Sequence, residues 1–305
     1  MSGSALPAPP GVNLSFCVKR WVTPALWTQV VRRHLETDRV QLSFDLVDPM
    51  WPASVLDRVA RETRAAADGE GIEIHSAFIG LAHYTFNQML HPDPDVRAYA
   101  EAWMVRAMDF AAEAGIRRIG GPLGATASSP DGREADAIPE GELADLLARM
   151  ERLAAAAAGR GLTELLIEPT PMRREWPWTI AQARRMMEAL TGTPVPWRLC
   201  LDWGHGTLEP LYGPDHGEMR PWLEALGSVT GALHLQQTDY QLDCHWDFTR
   251  SGRVDPAAVR ADIVAAGLAD RPVFLEVFYP FEAPDTAVLE GMARSMAVLR
   301  EAFDG

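Results

Sequence analysis

The 305-residue sequence has few cysteines and no long apolar run. Its three cysteines, Cys17, Cys200 and Cys244, are far apart and show no C-x-x-C spacing, so neither a disulfide framework nor a thiolate zinc site is predicted. No segment approaches the roughly 18 apolar residues that span a bilayer. The first residues, MSGSALPAPPG, lack the pattern of a secretory signal. We therefore expect a cytoplasmic protein with no membrane contact and with a loose N-terminal tail over residues 1–10.

Positive charge is also scarce, and this argues against a nucleic-acid partner. The chain has 42 acidic and 28 basic residues, which gives a formal net charge of −14. Nucleic-acid affinity depends largely on cationic contacts to phosphates, so the overall charge opposes DNA and RNA binding, although a local basic patch stays open. With 47% hydrophobic and 23% charged residues, the composition is that of a globular protein.

What the sequence does contain is a regular alternation of short apolar segments and amphipathic ones. Five helical segments are distinct, at 52–71, 93–115, 139–161, 255–270 and 285–303, and the first is expected to stop at Gly69. The strand-like segments are short, apolar or β-branched, and bounded by glycine, proline or polar residues. They are residues 12–16, 40–45, 72–78, 117–123, 164–170, 197–203, 231–237 and 273–279.

Alternation of this kind predicts parallel strands joined by helical crossovers. Eight such units fit a (β/α)8 TIM barrel, which typically takes about 250 residues. An open doubly wound sheet is the alternative, but it usually carries a glycine fingerprint after its first strand. Here the first strand runs into SFCVKRW, and no linker or composition shift divides the chain. We predict an α/β protein with one TIM barrel domain over residues 1–305.

Charged side chains stand in or at the ends of the last four apolar strands. Glu168, Asp202, His234 and Glu276 are separated by 34, 32 and 42 residues, each about one strand-helix unit. Alone, each would more simply be a salt-bridge partner or a hydrogen-bonded structural residue. The strand ends of a TIM barrel form one face, however, so the spacing brings all four to the same mouth. Because buried, unpaired carboxylates are costly, the set predicts a site for Mn²⁺, Co²⁺, Mg²⁺ or Zn²⁺.

Four short motifs in strand order resemble the xylose-isomerase-like barrel superfamily. They are IEP (167–169), DWGH (202–205), LHL (233–235) and LEVF (275–278). The likeness covers essentially the whole chain and is to the sugar 3-epimerase branch, typified by D-tagatose and D-psicose 3-epimerases. It implies one divalent metal ion, with Mn²⁺ as the first expectation, held by Glu168, Asp202, His234 and Glu276.

The same resemblance implies proton transfer beside a ketone through a cis-enediolate. Glu168 and Glu276 would act on opposite faces of the ketose. Return of the proton to the same carbon inverts it, and return to the adjacent carbon gives aldose–ketose isomerisation. The sequence leaves both outcomes open.

Further substrate contacts follow from the resemblance. His205 matches the family's substrate-binding histidine, and Glu175 stands near a second family glutamate, one residue later than the family spacing. The family's arginine after the metal histidine is missing from LQQTDYQ (235–241), which weighs against a free hexulose. GVNLSFCVKRW, QLSFDLVDP and LHLQQTD followed by HWDFT resemble instead the tetrulose-phosphate epimerase/isomerases of erythritol catabolism, which act on erythrulose phosphates.

A phosphorylated substrate would need cations at the rim of the barrel. Lys19 and Arg20 after the first strand, and Arg250 beyond the seventh, are candidates, although ordinary surface charge explains them equally well. Three further candidate contacts are two residues that face into the barrel and one in a loop that could cover a small sugar. They are Gln236, His75 and His245.

Three other functions stay open at this point. A dehydratase of the inosose or dehydroshikimate type would begin with the same proton abstraction. A phosphodiesterase of the endonuclease IV type would use three zinc ions and a basic DNA-binding face, which the charge of −14 disfavours. A catalytically dead sugar-binding barrel would lack one of the two glutamates, and both are present. The expected partner is a small sugar or sugar phosphate, and the resemblance implies a homodimer or homotetramer.

Overall fold

A closed barrel of eight parallel strands in sequence order, β1 to β8, forms the centre of the molecule, and β1 pairs with β8 to close it. The computed structural model describes residues 7–132, 138–213 and 218–304. The predicted (β/α)8 fold is confirmed, and each predicted strand segment overlaps one observed strand. The strands are Gly11–Asn13, Arg39–Ser43, Glu73–Phe78, Arg118–Gly121, Glu164–Ile167, Trp197–Asp202, Thr230–Leu235 and Val273–Leu275.

Helices connect the strands and surround the barrel. Five of them match the five predicted helical segments, whereas the helices that follow β1, β5 and β6 and the short helix directly after β3 were not among those segments. In chain order, α1 to α11 are Pro24–Val30 (continuing as a π-helical turn, Val31–Leu35), Ala53–Glu70, Leu81–Tyr84, Pro94–Glu113, Glu140–Ala158, Ile180–Ala189, Trp203–Gly206, Glu209–Tyr212, Arg220–Leu226, Pro256–Ala265 and Asp285–Asp304.

Helix α2 illustrates how the sequence specifies these elements. Its buried residues Leu56, Ala60 and Ala67 recur at helical spacing, so one face packs against the barrel. The helix does not stop at Gly69, as the sequence predicted, but ends at Gly71, which has φ 64°. Glycine adopts this left-handed conformation without a steric penalty and therefore ends the helix.

Seven of the eight strands end earlier than predicted, and the ends of β1 and β8 matter for the site. β1 ends at Asn13 because Leu14–Cys17 form a 3-10 turn, with the Asn13 side chain accepting a hydrogen bond from the Ser15 amide. β8 ends at Leu275, so Glu276 is the first residue beyond the strand. The side chain of Glu276 thus lies at the mouth of the barrel.

The inside of the barrel holds its own apolar cluster, separate from the larger core between strands and helices. It consists of Phe78, Leu166, Cys200, Ala232 and Phe274. Cys200 is fully buried in it. Phe78 packs edge-on against the ring of His234, with centroids 4.8 Å apart, and so supports the polar site above this layer.

The predicted N-terminal tail lies only partly within the described chain. Residues 1–6 fall outside the described ranges, whereas Pro7 and Pro10 are buried. Over residues 7–132, 138–213 and 218–304, none of the helices combines the length and the apolar character needed to cross a bilayer. The single-domain organisation over the whole chain stays a prediction.

Candidate metal centre and active site

The four charged residues of the last four strands meet at one mouth of the barrel. Glu168 follows β5, Asp202 ends β6, His234 lies in β7 and Glu276 follows β8. All four side chains are buried, and one donor atom of each lies within 4.8 Å of the others. The structure therefore brings together the whole set that the sequence spacing suggested.

His234 directs one ring nitrogen at the two glutamates. Its Nδ1 lies 2.9 Å from a carboxylate oxygen of Glu168 and 2.9 Å from one of Glu276. Its Nε2 lies 2.6 Å from Gln41 Oε1 and donates a proton to it. Burial alone would lower the pKa of His234, but Cys200, Glu276 and Glu168 raise it well above the usual value. A metal ion among these atoms would take the place of the Nδ1 proton.

Asp202 tests whether the residues fit a metal ion. Its Oδ1 accepts hydrogen bonds from the amides of Gly204 and His205, at 2.6 and 3.0 Å, and from Gln236 Nε2 at 2.9 Å. Its Oδ2 is buried and has no hydrogen-bond partner among the described residues. Such an oxygen is costly unless a cation binds it. The donor set of three carboxylates and one imidazole fits a divalent metal.

A chain of buried amides fixes the orientation of His234. Gln41 Oε1 also accepts from Asn13 Nδ2 at 2.6 Å, and Gln41 Nε2 donates to Ser76 Oγ at 3.1 Å. Asn13 Oδ1 in turn accepts from the Ser15 amide at 2.9 Å. With both ends of its amide engaged, Gln41 can only accept from His234, which leaves the Nδ1 lone pair for a metal. Sequence reasoning missed Asn13 and Gln41; the signal was an amide side chain inside an apolar strand.

A second group of polar residues adjoins the four candidate ligands. Asp243 Oδ2 lies 3.1 Å from His205 Nε2, and Asp243 Oδ1 lies 3.2 Å from His245 Nε2. Gln236 Nε2 donates to Asp243 Oδ1 at 2.8 Å as well as to Asp202. The predicted contacts His205, His245 and Gln236 are thus brought together. Asp243 was not predicted, and the D-x-H spacing of DCH (243–245) was its signal.

Asp243 also controls the charge of both histidines. Burial lowers the pKa of His205, but Asp243 and Asp202 outweigh it and raise that pKa well above the usual value. Burial likewise lowers the pKa of His245, yet Asp243 and Glu276 help to raise it to about 9. The Nδ1 of His245 is buried, without a hydrogen-bond partner in the described chain, and lies 3.8 Å from Glu276 Oε2. It is a donor that a substrate oxygen could use.

The two glutamates differ in proton affinity. Burial raises the pKa of Glu168 above its usual value. Burial acts in the same sense on Glu276, but His234, His245 and His205 outweigh it and lower the pKa of Glu276. Two carboxylates with opposed shifts, next to one cavity, are suited to exchange protons with a bound molecule.

A cavity of about 280 Å³ opens over these groups. Small-molecule sites usually span roughly 300–1,000 Å³, so this one suits a small ligand. Its polar and apolar walls are formed by Glu168, Glu276, His205, Asp243, His245, Tyr84, Thr170, Cys244, Ile79, Gly80, Leu81, Pro122 and Phe278.

Glu175 lies behind this wall and does not line the cavity. It is buried, and it accepts hydrogen bonds from the Thr170 hydroxyl and, at 3.2 Å, from the Tyr84 hydroxyl. Burial raises the pKa of Glu175. Its place in the structure is that of a support for two residues that do face the cavity.

His75 lies away from the cavity. Its Nδ1 is 3.1 Å from Ser76 Oγ, and its ring packs on Phe274 with centroids 5.3 Å apart. Burial, helped by Arg118 and Arg39, lowers the pKa of His75 to about 3. The structure does not bring it to the other candidate contacts.

The three candidate rim cations have different surroundings. Arg250 is exposed over the ring of Trp246, 5.3 Å from its centroid, and lines neither this cavity nor its neighbour. Lys19 and Arg20 line a neighbouring cavity.

Comparisons with known proteins agree with this geometry. A family model described as xylose isomerase-like TIM barrel matches residues 35–302. A protein from Rhodospirillum rubrum has a solved structure with a TM-score of 0.90 and 37% sequence identity, covering 96% of this chain and 98% of its own.

Two further similar proteins are named for their activities. A D-erythrulose 1-phosphate 3-epimerase of Brucella abortus (strain 2308) is 26% identical over 298 residues, which cover 94% of this chain and 93% of the relative. A D-psicose 3-epimerase from Clostridium cellulolyticum H10, solved with D-tagatose, has a TM-score of 0.75 and covers 97% of this chain and 99% of its own. Its identity of 15% shows a shared fold alone.

Proposed function

The chain belongs to the xylose isomerase-like TIM barrel family, and from that premise we propose that it is a metal-dependent 3-epimerase of small ketose phosphates. The observation that carries the proposal is the pair Glu168 and Glu276. Both line the cavity, and both contact Nδ1 of His234 at 2.9 Å. The activity of the Brucella relative supports a four-carbon ketose phosphate as the substrate.

The reaction begins with loss of a proton from the carbon beside the ketone. A divalent cation held by Glu168, Asp202, His234 and Glu276 would polarise the ketone and stabilise the negative charge that develops on its oxygens. One glutamate accepts the proton as the C–H electron pair moves into the C2–C3 bond. The other donates a proton to the opposite face of C3, which inverts that carbon. The Nδ1 proton of His245 is available to orient a substrate oxygen, and the Tyr84 hydroxyl, whose proton goes to Glu175, can accept from a substrate hydroxyl.

Solvent-exchange experiments test this proposal. Ketoses and ketose phosphates of four to six carbons would be incubated in D₂O with Mn²⁺ and followed by NMR. Deuterium at C3 of a ketose phosphate is the expected result. Deuterium at C1 or C2 would indicate aldose–ketose isomerisation instead, and no exchange with any compound would contradict both. Loss of water from the product would identify the dehydratase alternative.

A phosphodiesterase of the endonuclease IV type is the second candidate function. The group of His205, Asp243 and His245 favours it, because their donor atoms also lie within 4.8 Å of one another and could hold another cation. The net charge of −14 and the cavity of about 280 Å³ oppose a DNA substrate. A metal content near one ion per chain and no DNA binding at low salt would exclude it.

Three finer features belong to the same proposal. Mn²⁺ is the expected metal, which metal analysis of protein purified without added salts would test. The cytoplasm is the expected compartment, and fractionation would test it. A homodimer or homotetramer is the expected assembly, and light scattering would test it.

A further inference from the structure

A second cavity adjoins the one above the metal ligands. It has a volume of about 610 Å³ and shares Leu81 and Phe278 with the first cavity as common walls. We call it the annex. Its walls come from the segments after β1, β2, β3 and β8, and include Lys19, Arg20, Asp45 and Phe281. A substrate with its carbon chain over the metal ligands could extend a substituent past Phe278 into the annex.

Arg20 cannot bind such a substituent without breaking its present contacts. Its side chain is only 4% exposed, and its Nε lies 3.2 Å from Asp285 Oδ1. Its Nη2 donates to the carbonyl oxygens of Pro280 and Ala283 at 2.8 and 3.2 Å. Arg20 therefore holds the segment after β8 in place.

Two acidic residues, Asp45 and the exposed Glu282, also line the annex, and the charge of Asp45 is already engaged. Its carboxylate accepts hydrogen bonds from the backbone amides of Leu81 and Ala82 at 2.9 and 2.7 Å. Burial raises the pKa of Asp45, which the two amides only partly offset. The negative charge of Asp45 that an anion in the annex would meet is therefore partly balanced by these two backbone amides.

Lys19 is the cation that stays available. No carboxylate within residues 7–132, 138–213 and 218–304 forms an ion pair with its Nζ, which lies 4.4 Å above the centre of the Phe281 ring. It is the only lysine of the sequence, among 28 basic residues. Its φ of 61° is a left-handed conformation that glycine would adopt at lower cost. A residue held in an unfavourable backbone conformation, with an ammonium group that has no ion-pair partner in the described chain, is typical of a binding site.

We propose that Lys19 Nζ binds the phosphate group of the substrate in the annex, while the carbon chain occupies the cavity over Glu168 and Glu276. This inference rests on the proposed function, because it presumes a ketose phosphate. It singles out one of three candidate cations, with Arg20 as the residue that positions the annex wall and Arg250 uninvolved. The Phe281 ring would stack under the ammonium group and keep it directed into the annex.

The test compares phosphorylated and free substrate in one set of variants. Lys19→Met keeps most of the side-chain length without the charge, Lys19→Arg keeps the charge, and Arg250→Met is the control outside both cavities. With D-erythrulose 1-phosphate, Lys19→Met is expected to raise KM by about 10- to 100-fold, the range of a lost charge-assisted hydrogen bond, with kcat within twofold. Lys19→Arg should recover most of this, and Arg250→Met should match the wild type. With D-erythrulose, all three should be unchanged.

Calorimetric binding of D-erythrulose 1-phosphate to the manganese-loaded protein separates this inference from the proposed function. If the wild type binds the compound without turning it over, and binding weakens in Lys19→Met, only the proposed function is contradicted. If Lys19→Met turns over and binds D-erythrulose 1-phosphate like the wild type, the role of Lys19 is wrong but the proposed function stands. An equal loss with free and phosphorylated ketose would also overturn it, because the effect would then not concern the phosphate. Absence of any binding to the wild type would contradict both.

Discussion

Replacement of Gln41 by leucine should weaken metal binding although Gln41 touches no metal. Gln41 Oε1 accepts one hydrogen bond from His234 Nε2 and one from Asn13 Nδ2, both at 2.6 Å. Leucine fills a similar volume but leaves both donors buried without an acceptor. Each unsatisfied donor costs about 1–3 kcal/mol. His234 also becomes free to carry its proton on Nδ1, where it competes with the metal.

The loss in affinity can be given a size. Removal of a partner that orients a ligating histidine typically costs about 10- to 100-fold in metal affinity, which corresponds to about 1.4–2.8 kcal/mol. We expect Gln41→Leu to weaken Mn²⁺ binding by this factor in a chelator-competition titration. Thermal stability without metal should fall as well.

A matched control separates this effect from general destabilisation. Gln237→Leu removes another buried glutamine, whose amide bonds to Val254 through both ends, at 3.0 and 2.9 Å. It should lower stability but leave Mn²⁺ affinity within about threefold, since it has no contact to His234. The reasoning is refuted if Gln41→Leu binds Mn²⁺ like the wild type, or if both variants lose affinity equally.

Three other changes are expected to act as follows. Asp202→Asn keeps the Oδ1 acceptor but replaces the oxygen that has no partner with an amide nitrogen, so Mn²⁺ affinity in the same titration should fall at least 100-fold. In urea with a chelator, the variant should be as stable as the wild type or more stable. Retained Mn²⁺ affinity would contradict the assignment of Asp202 as a ligand. Glu276→Gln should keep the circular dichroism spectrum and lower kcat by about 10²–10⁴-fold, the range of a general acid–base group; near-normal turnover would remove Glu276 from the mechanism. His75 has its pKa lowered from 6.5 to about 3, so it stabilises the fold above pH 6.5 and this stability is lost as the pH falls towards 3. Between pH 7.5 and 5 the wild type should therefore lose about 2 kcal/mol more than His75→Leu in urea titrations, and parallel losses in the two proteins would contradict the buried neutral state.

The barrel could be predicted because its strands are buried on both faces. Such strands appear in the sequence as continuous apolar runs, and the helices between them keep a 3.6-residue stripe. The same property made the four candidate ligands detectable in the sequence, because a carboxylate or imidazole in an apolar run is conspicuous. Glu168 and Glu276 lie one residue beyond their strands, where no side-chain alternation constrains them.

The other residues of the site are positioned by contacts that leave no periodic pattern in the sequence. Asp243 and His245 lie in a loop that folds back through an antiparallel bridge between Gln237 and Trp246. That bridge sets which loop residues reach His205, and nothing in the loop composition specifies it. The role of Gln41 likewise depends on a partner 193 residues away, His234.

The sequence also cannot distinguish adjacent residues of equal charge. Lys19 and Arg20 are indistinguishable as candidate cations in the sequence. In the structure the Arg20 guanidinium is held by backbone carbonyls, while the Lys19 ammonium rests over an aromatic ring. Only the fold of the segment after β8 separates their roles.

The central claim is that Glu168, Asp202, His234 and Glu276 share one cation. Anomalous diffraction from a crystal of the protein soaked in Mn²⁺ tests it most directly. We predict a manganese peak bounded by His234 Nδ1, Asp202 Oδ2 and a carboxylate oxygen of each glutamate. A well-ordered crystal with no anomalous density among these four side chains, or with peaks only elsewhere, would contradict the account.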